Sequence, residues 1–157
     1  MGGERELLEL FLEWQRATLA RKCAALSVEQ LRMRSAPPST LSLLGLLRHL
    51  ADVEREWFQR TLALQDSPAL YSSDSDPDGD FDNVDAADAG EALRTWEREC
   101  QRSRDIAATR ALGDTGRQRN GEPVSLRWIL VHMIEEYARH NGHADFLRER
   151  VDGVTGD

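Results

Sequence analysis

The chain has 157 residues, the size of one ordinary domain, and its 40% hydrophobic and 31% charged residues are the balance of a globular protein that folds in water. Its net charge of −8, from 20 Lys and Arg against 28 Asp and Glu, argues against a general binder of nucleic acid or of anionic membranes. Acidic ligands would have to be met by individual arginines, since Lys22 is the only lysine.

The opening MGGERELLELFLEWQ is acidic where a secretory signal needs positive charge. No apolar run approaches the roughly 18 residues of a membrane span, so a cytoplasmic location is expected. From about residue 4 to residue 26, Leu7, Leu8, Leu10, Phe11, Trp14, Thr18 and Leu19 recur at helical spacing, which predicts a first amphipathic helix with that face inward. Ser27 to Gln30 can start a short turn, and Pro37-Pro38 forbids regular structure. A second helix, LSLLGLLRHLADVEREWFQRTLAL, is predicted over about residues 41–64 with Ser39 or Thr40 as its cap, and it is the most apolar part of the chain. Residues 65–87 are rich in Asp and Ser, hold no helical period and read as a long crossover. Their DPDGDFDNVD faintly resembles a calcium loop but lacks the bidentate glutamate at its far end.

A third, mostly polar helix over about residues 88–112 is stopped by Gly113-Asp114-Thr115-Gly116. A polar loop through Pro123 leads to a fourth helix, capped by Ser125 and running to about Val151. No strand pattern or internal repeat appears. Cys23 and Cys100 lack the spacing of a zinc knuckle or redox pair and read as ordinary thiols within helices. The fold class expected is all-α: a single domain over residues 1–157, built as a four-helix bundle with a long crossover between helices 2 and 3.

The fourth helix holds the chemistry. On a helical wheel at about 100° per residue, its apolar stripe contains Glu136, His140 and His143, whereas Glu135 points away from it. An ionised glutamate left unpaired in a core costs several kcal/mol or more, and protonation, a salt bridge or a metal ion is the usual remedy. Glu136 and His140 are one turn apart, so both can reach one ion. His49, inward on helix 2 between Leu46 and Val53, can complete a three-ligand set that leaves positions open for water or substrate. His132, one turn before Glu136, can replace it or support the site from behind, and His143 can hold a substrate group or orient the site. Two other readings stay open on residues alone: a metal-binding stress-response protein without catalysis, and a structural or dimerising bundle whose histidines are satisfied without metal.

LLRHLADVEREWF in the second helix and SLRWILVHMIEEYARHNGHADFLRE in the last resemble the DinB-like superfamily, specifically its mycothiol-dependent, maleylpyruvate isomerase-like and thiol S-transferase branch. The resemblance covers nearly the whole chain and implies a bundle in up-down-down-up order. By position it implies His49, Glu136 and His140 as metal ligands, with Glu136 departing from the three-histidine set of many members. Zinc is the first expectation, with nickel, manganese or iron behind it. The activity implied is a divalent-metal-dependent transferase that activates a low-molecular-weight, mycothiol-like thiol as a metal-bound thiolate, for attack on a small electrophile or for isomerisation. Arg48, Arg139 and His143 are the residues proposed to contact the thiol. A homodimer is plausible for the family, and neither nucleic acid nor membrane is expected as a partner.

Overall fold

The computed structural model describes residues 2–156 and is mostly helical. Its elements are α1 (Glu4–Cys23), α2 (Val28–Arg32), α3 (Leu43–Glu54), which continues without a break as a π-helical segment (Arg55–Leu62), α4 (Gly79–Asp82), α5 (Ala89–Ala108) and α6 (Leu126–Asp152). Capping follows the local chemistry: Ser27, Ser42, Asp88 and Ser125 each accept a hydrogen bond from a backbone N–H in the first turn of the helix they precede. Ser27 and Gln30 form a complete capping box, which makes a five-residue α2 of what the sequence suggests as a bare turn. At the far end, Gly153 (φ 78°) closes α6 in the left-handed conformation.

Side-chain pairs fix the helix directions. Glu4 meets Arg127, Gln15 meets Asn141 and Lys22 meets Asp145, so α1 and α6 run the same way. Arg5 donates to the carbonyls of Ala107 and Arg110, and Glu13 pairs with Arg104, so α5 runs opposite to α1. Leu43 and Leu46 pack with Ala144 and Leu147, while Trp57 lies against Trp128, so α3 and its π extension run opposite to α6.

Other parts of the sequence reading change as well: the second helix is capped by Ser42 rather than by Ser39 or Thr40, because it is the Ser42 hydroxyl that meets the first-turn N–H of Gly45. The 113–125 loop is a small hairpin, β1 (Thr115–Arg117) against β2 (Pro123–Ser125), too short for a pattern of alternation to show in the sequence. Its Gly116 lies on the backbone of the π segment, where an added Cβ would stand 1.9 Å from the Thr61 carbonyl oxygen. The inward face of α1 also differs from the predicted one. Leu12, Arg16, Leu19 and Lys22 are buried, while Leu7, Leu10, Phe11 and Trp14 are exposed.

The burial of Arg16 is explained by a polar cluster in the core. Its guanidinium makes a bidentate pair with Glu54, whose side chain is fully buried, with distances of 2.8 and 2.6 Å. Tyr137 donates to Glu54 at 2.7 Å and accepts from the indole N–H of Trp96 at 2.8 Å, and the Cys100 thiol lies 3.5 Å from Glu54. Desolvation would raise the Glu54 carboxyl, but Arg16 and the hydrogen bonds outweigh it and hold the group below its ordinary value. Burial pushes the Cys23 thiol up to about 12 and raises that of Cys100, so both are protonated and unreactive, as ordinary helix thiols are.

Candidate metal centre

The crossover is pinned to α3 at two points. Asp52 accepts hydrogen bonds from the backbone N–H groups of Leu70, Tyr71 and Ser72. Arg48, buried, donates to the carbonyls of Gly79 and Asp80 and stacks its guanidinium 4.3 Å from the Tyr71 ring centre. Gly45 admits this approach, since the backbone of Phe81 passes 3.2 Å from where a Cβ would sit. The segment that resembles a calcium loop is therefore folded onto α3, and it delivers two side chains to His49. The Asp80 carboxylate accepts from Nδ1–H of His49 at 2.7 Å, and the Phe81 ring stacks on the imidazole with centroids 4.4 Å apart.

His49 faces α6. Its Nε2 lies 3.5 Å from Glu136 Oε1, and His140 Nε2 lies 3.3 Å from the same oxygen. The two imidazoles meet edge to face with centroids 4.7 Å apart. One potential ligand atom from each of His49, Glu136 and His140 falls within 4.8 Å of the other two. Of the three residues the wheel places in the inward stripe, Glu136 and His140 converge with the histidine of the second helix, whereas His143, at the stripe's edge, is exposed.

Electrostatics couples the three. Burial would lower the His49 imidazole, but the carboxylates of Asp80 and Glu136 overcome it and lift the ion-free group to about 9. His140 and then His49 hold the Glu136 carboxyl well below the usual carboxylate range, against the effect of burial. One observation tests whether these residues suit a metal ion. His49 Nε2 is a buried nitrogen with no hydrogen-bond partner, and it is aimed at a carboxylate oxygen. With Nδ1–H committed to Asp80, the neutral ring presents a lone pair at Nε2, which is the tautomer a metal ligand needs, and a carboxylate behind the ring is the usual means of fixing it. In the ion-free chain, with the ring lifted to about 9, a proton occupies Nε2 and faces the Glu136 carboxylate 3.5 Å away; a divalent ion bound there would take that proton's place between the nitrogen and the anion.

The other sequence-predicted residues lie around this set. His143 is exposed and shares a hydrogen bond with His140, 3.3 Å between their Nδ1 atoms, and burial with the neighbouring His140 and Arg139 lowers its pKa. His132 is stacked on Trp128 and edge-on to Trp57, 3.5 Å from Glu135, and with Glu135 and Glu136 forms a second group of potential ligands. Arg139 pairs with Glu135 on the exposed side of α6.

Asp80 escapes sequence reasoning because its segment has no period. So do Arg60 and Arg119, which both pair with Glu56 beside the centre. The family profile for Mycothiol-S-transferase matches residues 7–153. The chain belongs to this DinB-like family. Among solved structures, a conserved protein from Enterococcus faecalis has the same fold, with a TM-score of 0.68 over 98% of this chain and 100% of that one at 17% identity. No curated protein matches. Membership of the family brings a mycothiol-related transfer reaction, and hence a small-molecule thiol, to a chain that presents a His–Glu–His cluster.

Proposed function

We propose that this mycothiol-S-transferase family member is a metal-dependent enzyme in which His49, Glu136 and His140 hold one divalent ion, zinc first, and that it transfers a mycothiol-like thiol to a small electrophile. The observation that carries the reading is the partnerless His49 Nε2, braced by Asp80 on one side and facing Glu136 on the other. In the same reading the domain spans residues 1–157 as a four-helix bundle in up-down-down-up order. The shared direction of α1 and α6, opposite to that of α3 and α5, supports it. The exposed stripe of Leu7, Leu10, Phe11 and Trp14 supports a homodimer. Among the described residues no helix is long and apolar enough to cross a membrane, consistent with a cytoplasmic place.

When bound, such an ion supplies Lewis acidity that brings a thiol, whose ordinary pKa is about 8.5, to its nucleophilic form at neutral pH. The chain's own residues prepare the place. Asp80 fixes the His49 tautomer and ring plane, Phe81 covers the ring's face, and His143 orients the His140 ring. Arg48 holds the backbone that carries Asp80. In the transfer the thiol S–H bond breaks and its proton passes to solvent, a C–S bond forms at the electrophilic carbon, and the group leaving that carbon departs with its bonding pair, free to take up a proton from solvent. Three protein ligands fit this chemistry because they leave room for a substrate.

The test is elemental analysis of purified protein. About one divalent ion per chain is expected, with its loss in His49→Ala and in His140→Ala. Full occupancy in both variants would sink the assignment. Mycothiol added to cobalt-substituted protein should then shift the visible spectrum.

A further inference from the structure

A trough leaves the candidate centre beside His49 and Asp80 and runs along the π segment to the hairpin. Its first part has a volume of about 220 Å³ and its continuation about 320 Å³, and Glu56, Trp57 and Arg119 line both. The π-helical turns matter here, because Glu56, Trp57 and Arg60 all belong to them. Glu56 is held between two guanidiniums, by Arg60 at 2.7 Å and by Arg119 at 3.1 and 3.2 Å. The Trp57 indole beneath is braced by His132 and Trp128, with centroids 4.6 and 5.2 Å away.

This wall has a definite chemistry. A carboxylate flanked by two arginines offers acceptors and donors side by side, which is what vicinal hydroxyl groups, themselves both donors and acceptors, require. A partly exposed indole offers a flat apolar surface for the C–H face of a ring. An apolar electrophile laid there would desolvate three charged groups without replacing their hydrogen bonds. The placement also fits. Glu56 is seven residues past His49, roughly 10 Å along the helix, a span that the cysteinyl arm and first ring of mycothiol, an amino-sugar and inositol conjugate of acetylcysteine, can bridge.

We propose that this trough is the subsite for the polyhydroxylated end of the thiol, with Glu56, Arg60 and Arg119 binding hydroxyl groups and Trp57 supporting a sugar ring. The inference rests on the thiol-transfer reading and deepens it. It places thiol specificity on the π segment and the hairpin.

The experiment compares mycothiol with N-acetylcysteine, which carries the same thiol without the sugar, on cobalt-substituted protein, reading dissociation constants from the visible spectrum. The variants are Arg119→Ala, whose side chain is 69% exposed so that the fold is not at risk, and Glu56→Gln/Arg119→Ala. Wild type should bind mycothiol at least about tenfold more tightly than N-acetylcysteine. The variants should lose most of that preference through weaker mycothiol binding alone. Equal affinity for the two thiols in wild type, an unchanged preference in the variants, or an equal loss for both thiols overturns the trough assignment and leaves thiol binding standing. Silence of the spectrum to both thiols in wild type removes the thiol-transfer reading itself, and the trough assignment with it.

Discussion

The Asp80 carboxylate lies 2.7 Å from Nδ1 of His49, and it reaches that position from a crossover 31 residues further along the chain. The contact selects which imidazole nitrogen is free to face Glu136. Replacing Asp80 with Asn keeps the shape and removes the charge, so affinity for the divalent ion should fall about 10- to 100-fold. Competition with a chromophoric chelator measures it, and unchanged affinity would show that Asp80 does not support the centre.

Metal binding should also appear as stability. An ion held by the folded chain alone raises Tm in proportion to the logarithm of its concentration, whereas a chelator lowers it. Wild type should show both shifts in a thermal melt and His49→Ala neither. Equal shifts in the two proteins would place the ion elsewhere.

The buried Arg16–Glu54 pair makes a different prediction. Arg16→Ala leaves Glu54 charged and unpaired in the core and should cost about 3–5 kcal/mol of unfolding free energy. Arg16→Met with Glu54→Leu removes both charges and should recover most of that loss. Denaturant titration of the three proteins decides it, and a double variant no better than Arg16→Ala would contradict the assignment of the cost to the orphaned charge.

Acid should act through the same pair. The Glu54 carboxyl is held below its ordinary value of 4.5 in the folded chain, so the unfolded chain takes up its proton first as pH falls. The stabilisation is fully present above about 4.5 and is lost as pH drops toward the folded value. Stability of wild type should therefore decline below pH 4.5 more steeply than that of the Arg16→Met/Glu54→Leu protein, as read by urea unfolding at a series of pH values.

Gly116→Ala would put a methyl group 1.9 Å from the Thr61 carbonyl oxygen, against backbone that cannot step aside as a side chain can. The hairpin should lift from the π segment, carrying Arg119 away from Glu56. Faster amide exchange in residues 115–125, with α5 and α6 largely unaffected, is the expected signature.

Much of this molecule is legible in its sequence, for reasons particular residues make plain. Glu136 and His140 stand out because a long helix obeys its period, and His49 because Leu46, Leu50 and Val53 surround it with the same period. Asp80, Arg60 and Arg119 do not stand out. The first lies in an acidic segment with no period; Arg60 makes an ordinary i, i+4 pair with Glu56 that nothing in the sequence marks as functional, and Arg119 joins them only when the hairpin folds back across Glu56. The face of α1 misleads for a related reason. An arginine can be inward when its partner, Glu54, waits 38 residues away, and hydrophobic spacing carries no record of that pairing. The helix that turns Leu10 and Trp14 outward does so because Arg16 is turned in.

Tyr137 follows Glu136 in the chain, about 100° further around α6. Its hydroxyl is tied to Glu54 and to Trp96 at the centre of the molecule. Those ties act as a key in a lock cylinder. Turning α6 by one residue would break both, so the direction in which Glu136 points is set by the core before any ion arrives. The centre is aimed from behind.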